Sequence, residues 1–100
     1  MHPLIHKNRE TLTALCSRHR VRRLEIFGSA AGPSAAVNDF DFLVEFQPSS
    51  PSAHSSSYFG LLFDLEDTLK QPVDLVELPA VTNPFFLQSI EPHRQVLFAA

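Results

Sequence analysis

The chain has a single cysteine, Cys16, so no internal disulfide framework can hold it together. It also lacks a long apolar run and a signal-peptide pattern, which excludes a membrane span and makes the cytoplasm the expected location. There is no internal repeat. Basic residues are scarce beyond position 23, where only Lys70 and Arg94 stand against ten acids, a balance of −8. That shortage argues against direct nucleic-acid binding, because affinity for a phosphate backbone needs accumulated positive charge. The bases gather instead in residues 1–23, where six of them outnumber Glu10 for a balance of +5. A basic end joined to an acidic body, net charge −3, implies distinct contact surfaces.

What the chain does have is apolar mass. Hydrophobic residues make up 44% of its 100 positions, nine of them phenylalanine, enough for one packed domain spanning 1–100. Pro3 and the helical spacing of Ile5, Leu12, Leu15, Cys16 and His19 predict a helix from about 3 to about 19. Arg23 to Phe27 reads as a strand, followed by a short helical turn over Ser29–Ala31 and then Gly32-Pro33. The alternation Phe40, Phe42, Val44, Phe46 predicts a second strand over 39–46. Residues 47–57, rich in serine and proline, read as a flexible linker, with one of the last serines capping a helix from Tyr58 to about Lys70. Val73–Leu78 predicts a third strand, Asn83-Pro84 opens a helix to about Glu91, and Val96–Phe98 closes as a strand. The order αβαβαβαβ implies an α+β fold, a small mixed sheet flanked by helices.

The chemistry concentrates in two places. Gly28-Ser29 ends the first strand, and eleven residues after the glycine comes Asp39-x-Asp41 at the start of the second. Residues two apart on a strand point the same way, so Asp39 and Asp41 converge on one small volume. Adjacent carboxylates repel and raise each other's pKa unless a cation lies between them, and a hard divalent ion such as magnesium suits oxygen ligands. Glycine lets the backbone approach a phosphate closely, the turn offers N–H groups, and the Ser29 hydroxyl adds a donor. Asp74, an acid inside the apolar run Val73-x-Leu75-Val76, needs a partner or a cation and is the expected third carboxylate. A pair of metals held by Asp39, Asp41 and Asp74 could stabilise both the attacking and the leaving oxygen of a phosphoryl-type displacement.

Other residues read more plainly. His2 and His6 have the spacing of a metal pair but no third ligand, and read as surface histidines at a frayed terminus. Glu45 and Glu77 read as exposed strand acids, Cys16 as core, and the Arg18–Arg23 cluster as a solvated face or partner surface.

Gly28-Ser29, Asp39-x-Asp41 and Val73-Asp74-Leu75-Val76 together resemble the minimal nucleotidyltransferases, the single-domain members of the polymerase-beta-like superfamily. The resemblance covers nearly the whole chain, from the basic first helix to the tail Val96-Leu97-Phe98. It implies ATP as substrate, two magnesium ions (Mg2+) as cofactor, and a small HEPN-domain toxin as partner. Within such a type VII-like pair, the relative acts as antitoxin by moving AMP onto a tyrosine of the toxin. A binding-only antitoxin is the alternative; transfer to a small molecule would require an acceptor pocket built by a homo-oligomer. Three features depart from the family pattern: Ala30-Ala31-Gly32-Pro33 contains no arginine after Gly-Ser, the interval to Asp39 is one residue short, and Asn38 replaces a frequent serine.

Overall fold

The computed structural model describes residues 1–32, 39–77, 85, 88 and 94–100, with the side chain of Ser29 left out. The elements are α1 (Pro3–Lys7), α2 (Arg9–Arg18), β1 (Val21–Phe27), a 3-10 turn (Gly28–Ala31), β2 (Phe40–Phe46), α3 (Pro51–Leu69), β3 (Val73–Glu77) and β4 (Gln95–Ala99). The four strands form one mixed sheet in the order β3-β2-β1-β4. β1 runs antiparallel to β2 and β4, whereas β2 and β3 are parallel. This is the α+β architecture that the sequence implies. The helix expected from Asn83 to Glu91 falls, apart from Phe85 and Gln88, outside the described residues.

Alternation divides the sheet into two faces. Leu24 and Ile26 stand opposite Val44 and Phe42, and all four are buried with Ile5, Leu12, Cys16, Leu61 and Leu65 in one core. The helices therefore pack on the face made by the phenylalanine stripe of β2. The other face carries Glu25, Phe27, Asp41 and Leu43, the residues in between.

The N-terminal segment departs from the expected single helix. It breaks at Asn8, whose side-chain Nδ2 donates to the Leu4 carbonyl at 2.8 Å while its backbone N–H reaches the same oxygen at 3.1 Å. An asparagine that satisfies carbonyls locally competes with continuation of the helix. The terminus is also not frayed: His2 is buried, its ring meets Phe40 edge-on at 4.9 Å, and its Nδ1 accepts from Leu4 N–H at 3.1 Å. The surface reading of His2 is thus corrected, because helix capping and a ring contact occupy it. The backbone N–H of His2 donates to the Ala30 carbonyl at 2.9 Å, tying the start of the chain to the Gly-Ser turn.

The flexible linker expected over 47–57 is corrected more strongly. Residues 51–57 are the first two turns of α3. Ser50 caps the helix by accepting from Ala53 N–H at 3.2 Å, and Pro51 occupies the first helical position, where its missing N–H costs nothing. Leu61, Leu65 and Leu69 then recur every fourth residue and bury one side of α3. Two side chains of α3 also finish the outer edge of β3. The Tyr58 hydroxyl donates to the Leu75 carbonyl at 2.6 Å, and Glu66 accepts from Val73 N–H at 3.3 Å. α3 ends at Lys70, which takes the left-handed conformation (φ 55°) more usual for glycine.

Candidate active site

The site grows out of strand register. Asp41 is the second residue of β2 and pairs with Asp74 on the parallel β3 and with Phe27 on the antiparallel β1. Paired residues share a face, so the two carboxylates stand side by side, opposite the buried Phe40 and Phe42. The residue after Phe27 is Gly28, where the chain turns with φ +71°. A β-carbon at Gly28 would lie 2.7 Å from the Asp41 Oδ2, so the acid leans directly over the bare backbone of the turn. Glycine is required here twice, for its positive φ and for the missing side chain.

Asp39 lies just before β2 and is exposed, Asp74 is exposed and Asp41 is half-buried. The pKa of Asp41 is raised, first by burial and then by the negative charges of Asp74 and Asp39. That ordering matters. It places both other acids within electrostatic reach of Asp41, and it shows an accumulation of negative charge. Among the described residues, no hydrogen bond or ion pair offsets any of the three carboxylates.

The three do not form a ready-made cage. Among the described residues, no group of three acidic, histidine or cysteine side chains is close enough to hold a metal ion. The neighbours in register are Asp41 and Asp74, and Asp39 lies just before the start of β2. A two-carboxylate arrangement nevertheless suits magnesium, which binds through one or two carboxylates, water and the phosphates of its substrate. The charge accumulated at Asp41 is what such an ion would relieve. The residues present therefore fit the metal, with further oxygen ligands coming from water or from a bound molecule.

Ser29 lies within the 3-10 turn by its backbone. The turn is held at two points: His2 N–H donates to Ala30, and Gln95 Nε2 donates to the Ala31 carbonyl at 2.9 Å. Of the histidines, His19 bonds Asp64 at 2.7 Å between α2 and α3, and His54 pairs with Glu77 at 2.5 Å. Glu77 is therefore half-buried and engaged in the fold, not the exposed strand acid that the sequence suggests. Cys16 is buried in the core, and burial pushes its thiol up to about 12, which keeps it unreactive.

One feature of this face is absent from the sequence reading. Glu25 is buried opposite Leu43, held by Arg94 through Nε at 2.5 Å and Nη2 at 2.9 Å, and by Arg23 Nε at 3.1 Å. Burial works to raise its pKa, but the hydrogen bonds from Arg94 and Arg23 together outweigh burial and hold it below the usual carboxylate range. The run Leu24-Glu25-Ile26 has the ordinary alternation of a strand with one polar face, so nothing local marks Glu25 as buried. Its partner 69 residues away is set by the β1–β4 pairing and has no local sign.

Comparison with known proteins follows the same lines. No family model matches the chain. A curated relative from Methanocaldococcus jannaschii, named "Putative protein adenylyltransferase", is 36% identical over 78 residues, covering 77% of this chain and 76% of the relative. A solved structure assigned as a minimal nucleotidyltransferase superposes with a TM-score of 0.71 at 27% identity, covering 90% of this chain and 89% of the other. The fold is also shared with a chain in a structure of a tri-AMPylated Shewanella oneidensis HEPN toxin in complex with MNT antitoxin. There the TM-score is 0.65 at 18% identity, over 95% of this chain and 72% of that one. Matched in sequence to the curated relative over most of both lengths and in fold to the solved proteins, the chain belongs to the minimal nucleotidyltransferases.

Proposed function

We propose that this protein transfers AMP from ATP to a hydroxyl group, a tyrosine, on a HEPN-domain toxin and thereby acts as its antitoxin. The observation that carries the reading is the pairing of Asp41 with Asp74 beside the Gly28 turn, in a member of this family. The curated relative's name and the AMPylated toxin in the structurally similar complex support the choice of AMP and of a protein acceptor. We take residues 1–100 as one catalytic domain.

Each residue has a task in this scheme. Gly28 and Ser29 cradle the phosphates with backbone N–H groups and, at Ser29, a hydroxyl. Asp39, Asp41 and Asp74 would hold magnesium together with the triphosphate. When bound, magnesium neutralises phosphate charge and favours in-line displacement. Asp74, whose side chain is exposed on β3, accepts the proton of the acceptor hydroxyl. The hydroxyl oxygen forms a bond to the α-phosphorus as the bond to the β-phosphate oxygen breaks, and pyrophosphate leaves.

The test combines the purified protein, its HEPN partner and magnesium ATP. The toxin should gain the mass of one or more AMP groups, on tyrosine, and Asp41→Asn should abolish the gain. A toxin that is bound and silenced without any added mass would overturn the proposal in favour of neutralisation by binding.

A further inference from the structure

Asp74 stands on a short strand with a demanding neighbour. β3 has five residues and, among the described strands, pairs only with β2. That pairing sets Asp74 in register with Asp41, and like charges facing each other across a ladder push the strands apart. A hold from outside the ladder offsets the push. On the β2 side, the Pro72 carbonyl accepts from Phe40 N–H at 3.1 Å. Successive residues of a strand turn their peptide groups to opposite sides, so Val73 and Leu75, which flank Asp74, point away from β2. Both are tied to α3. Glu66 accepts from Val73 N–H at 3.3 Å, and the Tyr58 hydroxyl donates to the Leu75 carbonyl at 2.6 Å. A third contact, between the side chains of His54 and Glu77, follows at the end of the strand.

The two anchors are themselves fixed. Tyr58 and Glu66 lie two turns apart on α3, whose Leu61, Leu65 and Leu69 are buried in the core. The Tyr58 ring meets Phe46 edge-on at 6.5 Å and Phe59 at 5.2 Å, so packing aims its hydroxyl. We propose that Tyr58 and Glu66 are positioning residues for Asp74, clamping β3 on either side of it so that its carboxylate stands aligned beside Asp41 for the acceptor hydroxyl. This rests on the nucleotidyltransferase reading above. Neither side chain touches substrate in this scheme; both act through the backbone of β3. A small displacement of Asp74 spoils the alignment of a proton acceptor more than the grip of Gly28 and Asp41 on the nucleotide, so the loss falls on turnover.

The test measures AMP transfer to the HEPN toxin by the full chain at varied magnesium ATP, well below the melting temperature of each variant. Tyr58→Phe removes the hydroxyl and keeps both ring contacts. It should lower kcat about three- to tenfold, the scale of one lost hydrogen bond, with KM for ATP within about twofold of the wild type. Glu66→Leu should lower kcat to a similar degree. Glu66→Gln, whose amide oxygen can still accept from Val73 N–H, should recover most of that loss. If Glu66→Leu does not fold, Tyr58→Phe and Glu66→Gln carry the test. Wild-type kcat in Tyr58→Phe, a loss carried mainly by KM, or a fall in Glu66→Gln as large as in Tyr58→Phe overturns this proposal alone. Failure of the unaltered protein to transfer AMP overturns the nucleotidyltransferase reading, and this proposal with it.

Discussion

At the residue scale, the acids of the site work against the stability of the empty protein. Burial and two neighbouring carboxylates raise the Asp41 pKa, so its charged form is disfavoured in the fold. Asp41→Asn should then lose AMP transfer while keeping or raising the melting temperature. A lower melting temperature would contradict the account of Asp41 as a strained, functional charge. Magnesium should stabilise the wild type more than Asp41→Asn, a difference that thermal scans read without any catalysis. Gly28→Ala attacks the same spot from the backbone. It places a side chain at φ +71° and a β-carbon 2.7 Å from Asp41 Oδ2, so it should cost about 1–2 kcal/mol or more in urea unfolding. Asp41, Asp74 and Gly28 were legible in the sequence because each breaks a local rule: a paired acid, an acid in an apolar strand, a glycine at a strand end. Arg94 breaks none, and nothing short of the strand register places it beside Glu25.

At the element scale, α3 shows where composition misleads. Serine and proline in 47–57 suggest a linker, yet Ser50 and Pro51 are a start signal, and no proline interrupts the helix after it. Ser50→Ala should cost about 1 kcal/mol by removing the cap, measured by urea unfolding. Gly60, inside α3, is the telling exception. Replacement by alanine would ordinarily gain about 1 kcal/mol of helix propensity. Here the new β-carbon would lie 2.7 Å from the His19 ring, which Asp64 holds at 2.7 Å. Gly60→Ala should therefore destabilise the protein, and the same change in a His19→Ala background should stabilise it. A gain in both backgrounds would show that the His19–Asp64 contact does not set the spacing of α2 and α3. By contrast, β2 was readable from alternation, since Phe40, Phe42, Val44 and Phe46 share the face that packs under the helices, although Leu43 is buried on the other face as well.

At the scale of the whole molecule, two carboxylates give the pH dependence opposite signs. Asp41, with its pKa raised, binds protons more readily when folded, so stability rises as pH falls through its folded pKa, which lies above the ordinary aspartate value. Glu25, with its pKa lowered, contributes stability that is complete above its unfolded value and is lost as pH falls through its folded one. Urea midpoints followed downward from neutral pH should therefore rise slightly and then drop. Asp41→Asn should remove the rise, and Glu25→Gln should flatten the Glu25 share of the drop. The dressing of β3 by α3 bears on how a client molecule is received. With the Val73 amide and the Leu75 carbonyl already spoken for by Glu66 and Tyr58, that margin of the sheet offers little to an incoming β-strand. A client offering a protruding side chain, rather than a strand, would suit the exposed Asp74 and its neighbour Asp41.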